Sequence, residues 1–258
     1  MRKPLLMVAP NGARRGKAEH SLLPITIAET VEAAKQCYGA GAGALHLHVR
    51  DQDGGHSLDA GLYREALSEL ARKVPDMRVQ ITTEAAGIYG VSDQLNCLKR
   101  AAPSWASIAI REIAREPGLA DAVYGTCRDN GTKVQHILFD AEDARFLEDW
   151  LDAGIVRDDQ RSVLLVLGRY TAGQISDPAG LPPVLNALPR VSEWMLCAFG
   201  RREHECLIAA ARLGGDCRVG FENSLENSDG HIWANNAQSV ATLSAELESA
   251  TAPVLSEG

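Results

Sequence analysis

The 258-residue sequence predicts an α/β fold, a closed (β/α)8 TIM barrel, on three observations. Short apolar runs of strand length alternate with longer amphipathic runs. The alternation recurs eight times. No long linker, low-complexity segment or internal repeat interrupts it. Strands that alternate with helices pair in parallel, and eight such units fit one barrel domain over 1–258, with residues from about 250 to 258 as a tail. An open doubly wound sheet is the other arrangement compatible with the same alternation.

LLMVA (5–9) reads as the first strand, ending before Pro10, with a helix near 27–40. Thr26 and Glu29 in TIAE fit a capping box at that helix's start, the threonine reaching forward and the glutamate back. ALHLHV (44–49) is the second strand, followed by a helix near 59–73. RVQIT (78–82) precedes a helix near 92–100, with Ser92 as its N-cap. WASIAI (105–110) precedes a helix near 118–130, and VQHILF (134–139) one near 141–153. SVLLVL (162–167) precedes a helix near 178–188, where Asp177 caps and Pro178 takes the first helical position. EWMLCA (193–198) and CRVGF (217–221) lead into helices near 203–213 and 235–248. Gly39, Gly131 and Gly214 read as helix stops.

Hydrophobic residues make up 45% and charged residues 23%, as expected of a globular protein, and the net charge is -8. That balance, with no basic run, argues against nucleic-acid binding. Six scattered cysteines without a CxxC read as reduced, buried thiols. The apolar run at the N-terminus is too short for a signal peptide. No segment reaches the ~20 apolar residues of a membrane span. A cytoplasmic protein is expected.

On the second strand, Leu45, Leu47 and Val49 take one face and His46 and His48 the other, because side chains two apart point the same way. Two buried imidazoles need partners. They are either zinc ligands or core histidines bonded to neighbouring carbonyls, and a third ligand would decide. Glu222 is the candidate. A barrel sets the eighth strand two places from the second, across the first. Arg218 shares the parity of Glu222 and suits a substrate carboxylate or a salt bridge.

Other strand ends carry polar groups: Thr82, Thr83 and Glu84 after the third, and Ser107 with Arg111, or Glu112 on the other parity, after the fourth. The fifth offers His136 (or a packed core histidine) and Asp140. Arg169, Arg201 and Arg202 follow the sixth and seventh. Arginines gathered at one mouth would favour an anionic substrate. P-loop, GxGxxG and GxSxG signatures are absent. None of the six lysines ends a strand, which disfavours a Schiff-base aldolase and leaves a metal Lewis acid to polarise a carbonyl.

The blocks APNGARRG, GAGALHLHVRDQDGGHSLD, VQITTEAAG, VLGRYTAGQ, CAFGRRE and LGGDCRVGFENSL resemble, in order and spacing, the β-keto acid cleavage enzymes, from about residue 5 to about 240. The resemblance implies a zinc-dependent TIM barrel, usually a homotetramer, that converts a β-keto acid plus acetyl-CoA into acetoacetate plus an acyl-CoA. It implies one zinc per chain on His46, His48 and Glu222, with Arg218 as the catalytic arginine. Thr82 and Ser107 fall at substrate-contacting positions. Thr83 and Arg111 are counted with them. Two positions depart from members that cleave 3-keto-5-aminohexanoate. Asn223 stands at the position of the aspartate proposed as base, which moves that role to Glu84, with Glu112, Asp51 or a zinc-bound hydroxide as alternatives. Arg14 replaces a glutamate that recognises the substrate amine, so a neutral or anionic substrate is expected. A zinc-dependent hydrolase on the same barrel and a non-catalytic metal- and ligand-binding barrel are the other readings.

Overall fold

A computed structural model describes residues 2–188, 191 and 193–251. Eight parallel strands close a barrel in the order β1-β10-β9-β8-β7-β6-β5-β2. They are β1 (Leu6–Val8), β2 (Ala44–Leu47), β5 (Arg78–Thr82), β6 (Trp105–Ala109), β7 (Lys133–Leu138), β8 (Ser162–Leu167), β9 (Glu193–Ala198) and β10 (Asp216–Val219). β1 closes the ring, pairing Met7 with Ala44 of β2 and with Arg218 of β10. A two-stranded hairpin, β3 (Val49–Arg50) with β4 (His56–Ser57), projects from the end of β2.

Nine α-helices surround the barrel: α1 (Ile27–Gly39), α2 (Ala60–Lys73), α3 (Val91–Ala101), α4 (Ile110–Ile113), α5 (Ala120–Asp129), α6 (Ala141–Asp152), α7 (Leu181–Leu185), α8 (Glu203–Arg212) and α9 (Asn236–Thr251), counted among the described residues. Period-two alternation splits the strands' side chains into two cores. Leu6, Val8, Leu45, Leu47, Ile108, Val163, Leu165, Leu196 and Val219 pack outward against the helices. Met7, Ala44, Ala109, Ile137, Leu164, Val166, Met195 and Cys197 fill the interior.

Several local expectations change. The second strand stops at Leu47, because Val49 and Arg50 pair back onto Ser57 and His56. Ser92 lies inside α3, whose N-cap is Gly90. The helix expected over 178–188 is a 3-10 turn at Pro178–Gly180 followed by α7, and Asp177 does cap the turn. The expected tail lies outside the described residues from 252 onward. All six cysteines are buried free thiols. His136 is the core histidine, its Nε2 2.9 Å from the Gln160 carbonyl. No helix among the described residues is long and apolar enough to cross a membrane.

Thr26 and Glu29 form the expected capping box. Glu29 Oε2 accepts from the Thr26 and Ile25 N–H groups at 3.0 and 2.8 Å, and Lys17 lies 2.8 Å from Oε1. Burial alone would raise the Glu29 pKa, but these partners hold it down to about 2, against an ordinary 4.5. A carboxylate depressed in this way stabilises the fold above its unfolded pKa and ceases to do so as pH falls through the folded one. Glu29→Gln is expected to cost about 0.5–1 kcal/mol at pH 7. In urea unfolding the deficit should shrink below the ordinary carboxylate pKa and vanish near pH 2.

Candidate active site

β2 delivers His46 to the barrel interior, and His48 follows on the same parity one residue past its end. Glu222 arrives across β1. β10 ends at Val219, Gly220 turns with φ at 137°, and the Glu222 N–H donates to the Ala9 carbonyl at 3.1 Å. A Cβ on Gly220 would lie 2.6 Å from the Ala9 oxygen, so this turn requires glycine. His48 Nε2 is 3.2 Å from His46 Nε2 and 3.5 Å from Glu222 Oε2, and His46 Nε2 is 3.7 Å from the same oxygen.

A hydrogen-bond relay sets the His46 tautomer. Gln80 Nε2 donates to Gln135 Oε1 at 2.9 Å, so Gln80 Oε1 accepts from His46 Nδ1 at 2.8 Å. Nε2 is left with its lone pair toward Glu222. Burial, reinforced by the Arg218 charge, keeps the His46 pKa well below the ordinary imidazole value, so the ring is neutral. Burial alone would raise Glu222, yet the Arg218 guanidinium and the two imidazoles hold it well below the ordinary carboxylate range. Glu222 Oε2 is buried and accepts no hydrogen bond.

The His46 lone pair, the unpartnered Glu222 oxygen and His48 Nε2 converge on one point, an arrangement that a cation would satisfy. Two imidazoles and a carboxylate form a zinc-type donor set, and tetrahedral ligand atoms about 2.1 Å from an ion stand about 3.4 Å apart. The observed spacings fit. Beside them, buried Arg218 donates Nη2 to Glu222 Oε1 and Cys197 Sγ, both at 3.3 Å, while its Nε and Nη1 have no acceptor. Two unmatched donors on a buried guanidinium suit an anionic ligand.

His46, Thr82, Glu84, Arg218 and Glu222 line one side of a cavity at the C-terminal mouth of the barrel. Glu84 sits at the rim. Its N–H donates to Thr82 Oγ1 at 3.0 Å, and its Oε1 accepts from Arg14 at 2.7 Å and lies 3.8 Å from Arg169. Arg14 lines an adjoining pocket with Arg15, Glu84, Arg169 and Glu222.

Glu112 and Arg169 also line this cavity, whereas Thr83, Ser107, Arg111, Asn223 and Asp51 lie off it. Thr83 is buried, with Oγ1 donating to the Ser107 carbonyl at 2.9 Å, and Ser107 pairs with Thr82 in register with its Oγ 3.5 Å from the Ile81 carbonyl. Arg111 is held by Asp143 and Asp140 at 2.6 and 2.7 Å and lies 4.5 Å over the Phe139 ring. The reason is local: β6 ends at Ala109 and α4 begins at Ile110, so helical rotation replaces strand alternation and Glu112 faces the cavity instead. Asn223 donates Nδ2 to Glu203 Oε1 and to the Arg218 carbonyl, both at 3.0 Å, and so braces the turn instead of facing the cavity. Asp51 is tied into a turn by the Asp53 and Gly55 N–H groups.

Four supporting residues escaped the sequence reading. Gln80 had a signal, a polar residue on the inward parity of an apolar strand. Arg15 donates to the Phe221 and Glu222 carbonyls at 2.5 and 3.2 Å, and Arg50 to the Gly12 and Arg15 carbonyls at 2.5 and 2.9 Å. Glu203 accepts from the Gly220 N–H at 3.1 Å as well as from Asn223. Burial pushes the Glu203 pKa up to about 8, so it is neutral at pH 7. In sequence it is an ordinary first-turn helix acid.

A closed barrel with a buried donor cluster and an unmatched guanidinium at its C-terminal mouth is the architecture of a TIM-barrel enzyme. The family model described as beta-keto acid cleavage enzyme matches residues 3–257. The chain belongs to that family, whose members cleave carbon–carbon bonds with acyl transfer. It is 25% identical, over 93% of its length and 89% of the relative's, to a 3-keto-5-aminohexanoate cleavage enzyme of Fusobacterium nucleatum. It is also 25% identical, over 97% and 90%, to a 3-oxoadipate:acetyl-CoA acetyltransferase of Cupriavidus necator. Among solved structures, ObcA in binary complex with oxaloacetate superposes with a TM-score of 0.66 at 17% identity, over 88% of this chain and 64% of ObcA. A type I 3-dehydroquinate dehydratase of Clostridium difficile superposes with a TM-score of 0.60 at 12% identity, over 93% and 92%. At these identities the two structures share the fold.

Glu203→Ala strands the Gly220 and Asn223 donors, an expected loss of about 2–4 kcal/mol. In a chain this long that is a fall in Tm of about 4–16 °C by calorimetry. Glu203→Gln mimics the neutral acid, keeps the acceptor and should restore most of it.

Proposed function

We propose that the protein converts a β-keto acid and acetyl-CoA into acetoacetate and an acyl-CoA, using one zinc ion held by His46, His48 and Glu222. The observation that carries this reading is the convergence of those three groups beside the unmatched donors of Arg218. The names of relatives that transfer acyl groups with acetyl-CoA support the co-substrate.

Zinc in this position would supply a Lewis acid for the charge that develops on the keto oxygen. Arg218 Nε and Nη1 bind the substrate carboxylate and orient the acid. Gln80 fixes the His46 ring. Glu84, held at the rim by Arg14 and Thr82, takes the C2 proton. Arg14 also adds a cation at the rim, which disfavours an ammonium substituent and so favours a neutral or anionic substrate.

Metal analysis of the purified protein is expected to find about one zinc per chain and His46→Ala to lose it. Acetoacetate should form from a β-keto acid only when acetyl-CoA is present. Substrate breakdown without acetyl-CoA would point instead to a hydrolase and overturn the proposal.

Arg218→Ala is expected to lower kcat/KM about 10²–10³-fold, and Glu84→Gln to lower kcat about 10²–10⁴-fold with the metal retained. Near-normal turnover by the Glu84 variant would remove it as the base.

A further inference from the structure

The cavity has two chemically different sides. The donor cluster, Thr82 and Arg218 face it from β2, β5 and β10. Ala109, Ile137, Phe139, Val166 and Phe199 face it from the ends of β6, β7, β8 and β9. Period-two alternation assembles this second wall. Ala109 stands level with Ile137 across β6 and β7, and the Phe199 N–H donates to the Leu167 carbonyl at 2.9 Å, which sets its ring beside Val166. Arg111 lies over the Phe139 ring.

The charged groups bordering that wall lie against partners of their own. Arg169 lies 4.9 Å over the Phe199 ring and 3.8 Å from Glu84 Oε1, which also holds Arg14. Glu112 Oε2 accepts from the Ala85 N–H at 3.0 Å and from Gln94 Nε2 at 2.7 Å. An ionic substituent placed against these hydrocarbon side chains would lose its hydration, and Arg169, the cation beside them, already stands over Phe199 and next to Glu84. A hydrocarbon there gains by leaving water.

Building on the cleavage reading above, we infer that the substituent at C3 of the keto acid is an uncharged hydrocarbon chain seated against Ala109, Ile137, Phe139, Val166 and Phe199. With the carboxylate on Arg218, on the β10 side, the chain beyond the keto carbon extends toward the opposite wall, β6 to β9.

The test compares 3-oxo acids of equal length ending in a methyl, a carboxylate or an ammonium group, each with acetyl-CoA and acetoacetate as the readout. The methyl-ended acid is expected to be used best, with kcat/KM rising about three- to fourfold per methylene from 3-oxopentanoate until the wall is reached. A carboxylate- or ammonium-ended acid used equally well or better overturns the inference and leaves the cleavage reading standing. Acetoacetate from none of the three removes the cleavage reading and this inference with it. Two variants test the wall itself. Ala109→Leu should lower the ratio of kcat/KM for 3-oxooctanoate over 3-oxopentanoate about tenfold, and Val166→Ala should raise it. Ratios unchanged in both variants would place the chain elsewhere and sink the assignment.

Discussion

The structure is organised around an electrostatic constraint. Two buried imidazoles, one carboxylate and one guanidinium share the interior of a barrel. Arg218 satisfies one oxygen of Glu222 and leaves the other facing the Nε2 atoms of both imidazoles. Such a cluster is costly to bury unless a ligand completes it. Its persistence depends on neighbours that deny it relaxation. Gln80 fixes one imidazole, Arg15 grips the backbone on both sides of the carboxylate, and Glu203 anchors the turn that presents it. Gly12 belongs to the same frame, since a Cβ there would lie 2.6 Å from Glu222 Cγ.

The barrel makes this possible through closure. β1 is short, but it joins the first and last parts of the chain, so groups more than 170 residues apart stand two strands from each other. The same closure separates the interior into a polar half and a hydrocarbon half. The polar half holds the groups that can bind and polarise an acid. The hydrocarbon half offers bulk and exclusion of water. At the entrance Glu84 stands between two arginines, Arg14 and Arg169.

Much of this was written in the sequence. Eight alternations, the parity of His46 and His48, the capping box at Thr26 and Glu29, and the distance from RVGFEN to HLHVRD fixed the barrel and paired its ends, because period-two patterning and helix caps are local signals. Membership in a family followed from several motifs in one order. Ser92 misled because a glycine two residues earlier takes the helix start, and Arg111 because a strand passed into a helix one residue early.

What the sequence determined by itself was therefore the architecture and the identity of the groups that meet across β1. Tertiary structure alone decided which polar residues face the cavity and which serve as braces. Arg111 is spent on Asp140 and Asp143, Asn223 on Glu203 and the Arg218 carbonyl, and Glu203 itself is buried beneath the turn. The physical reason is that partners and burial depend on where loops from distant parts of the chain fold over one another, and no local periodicity encodes that.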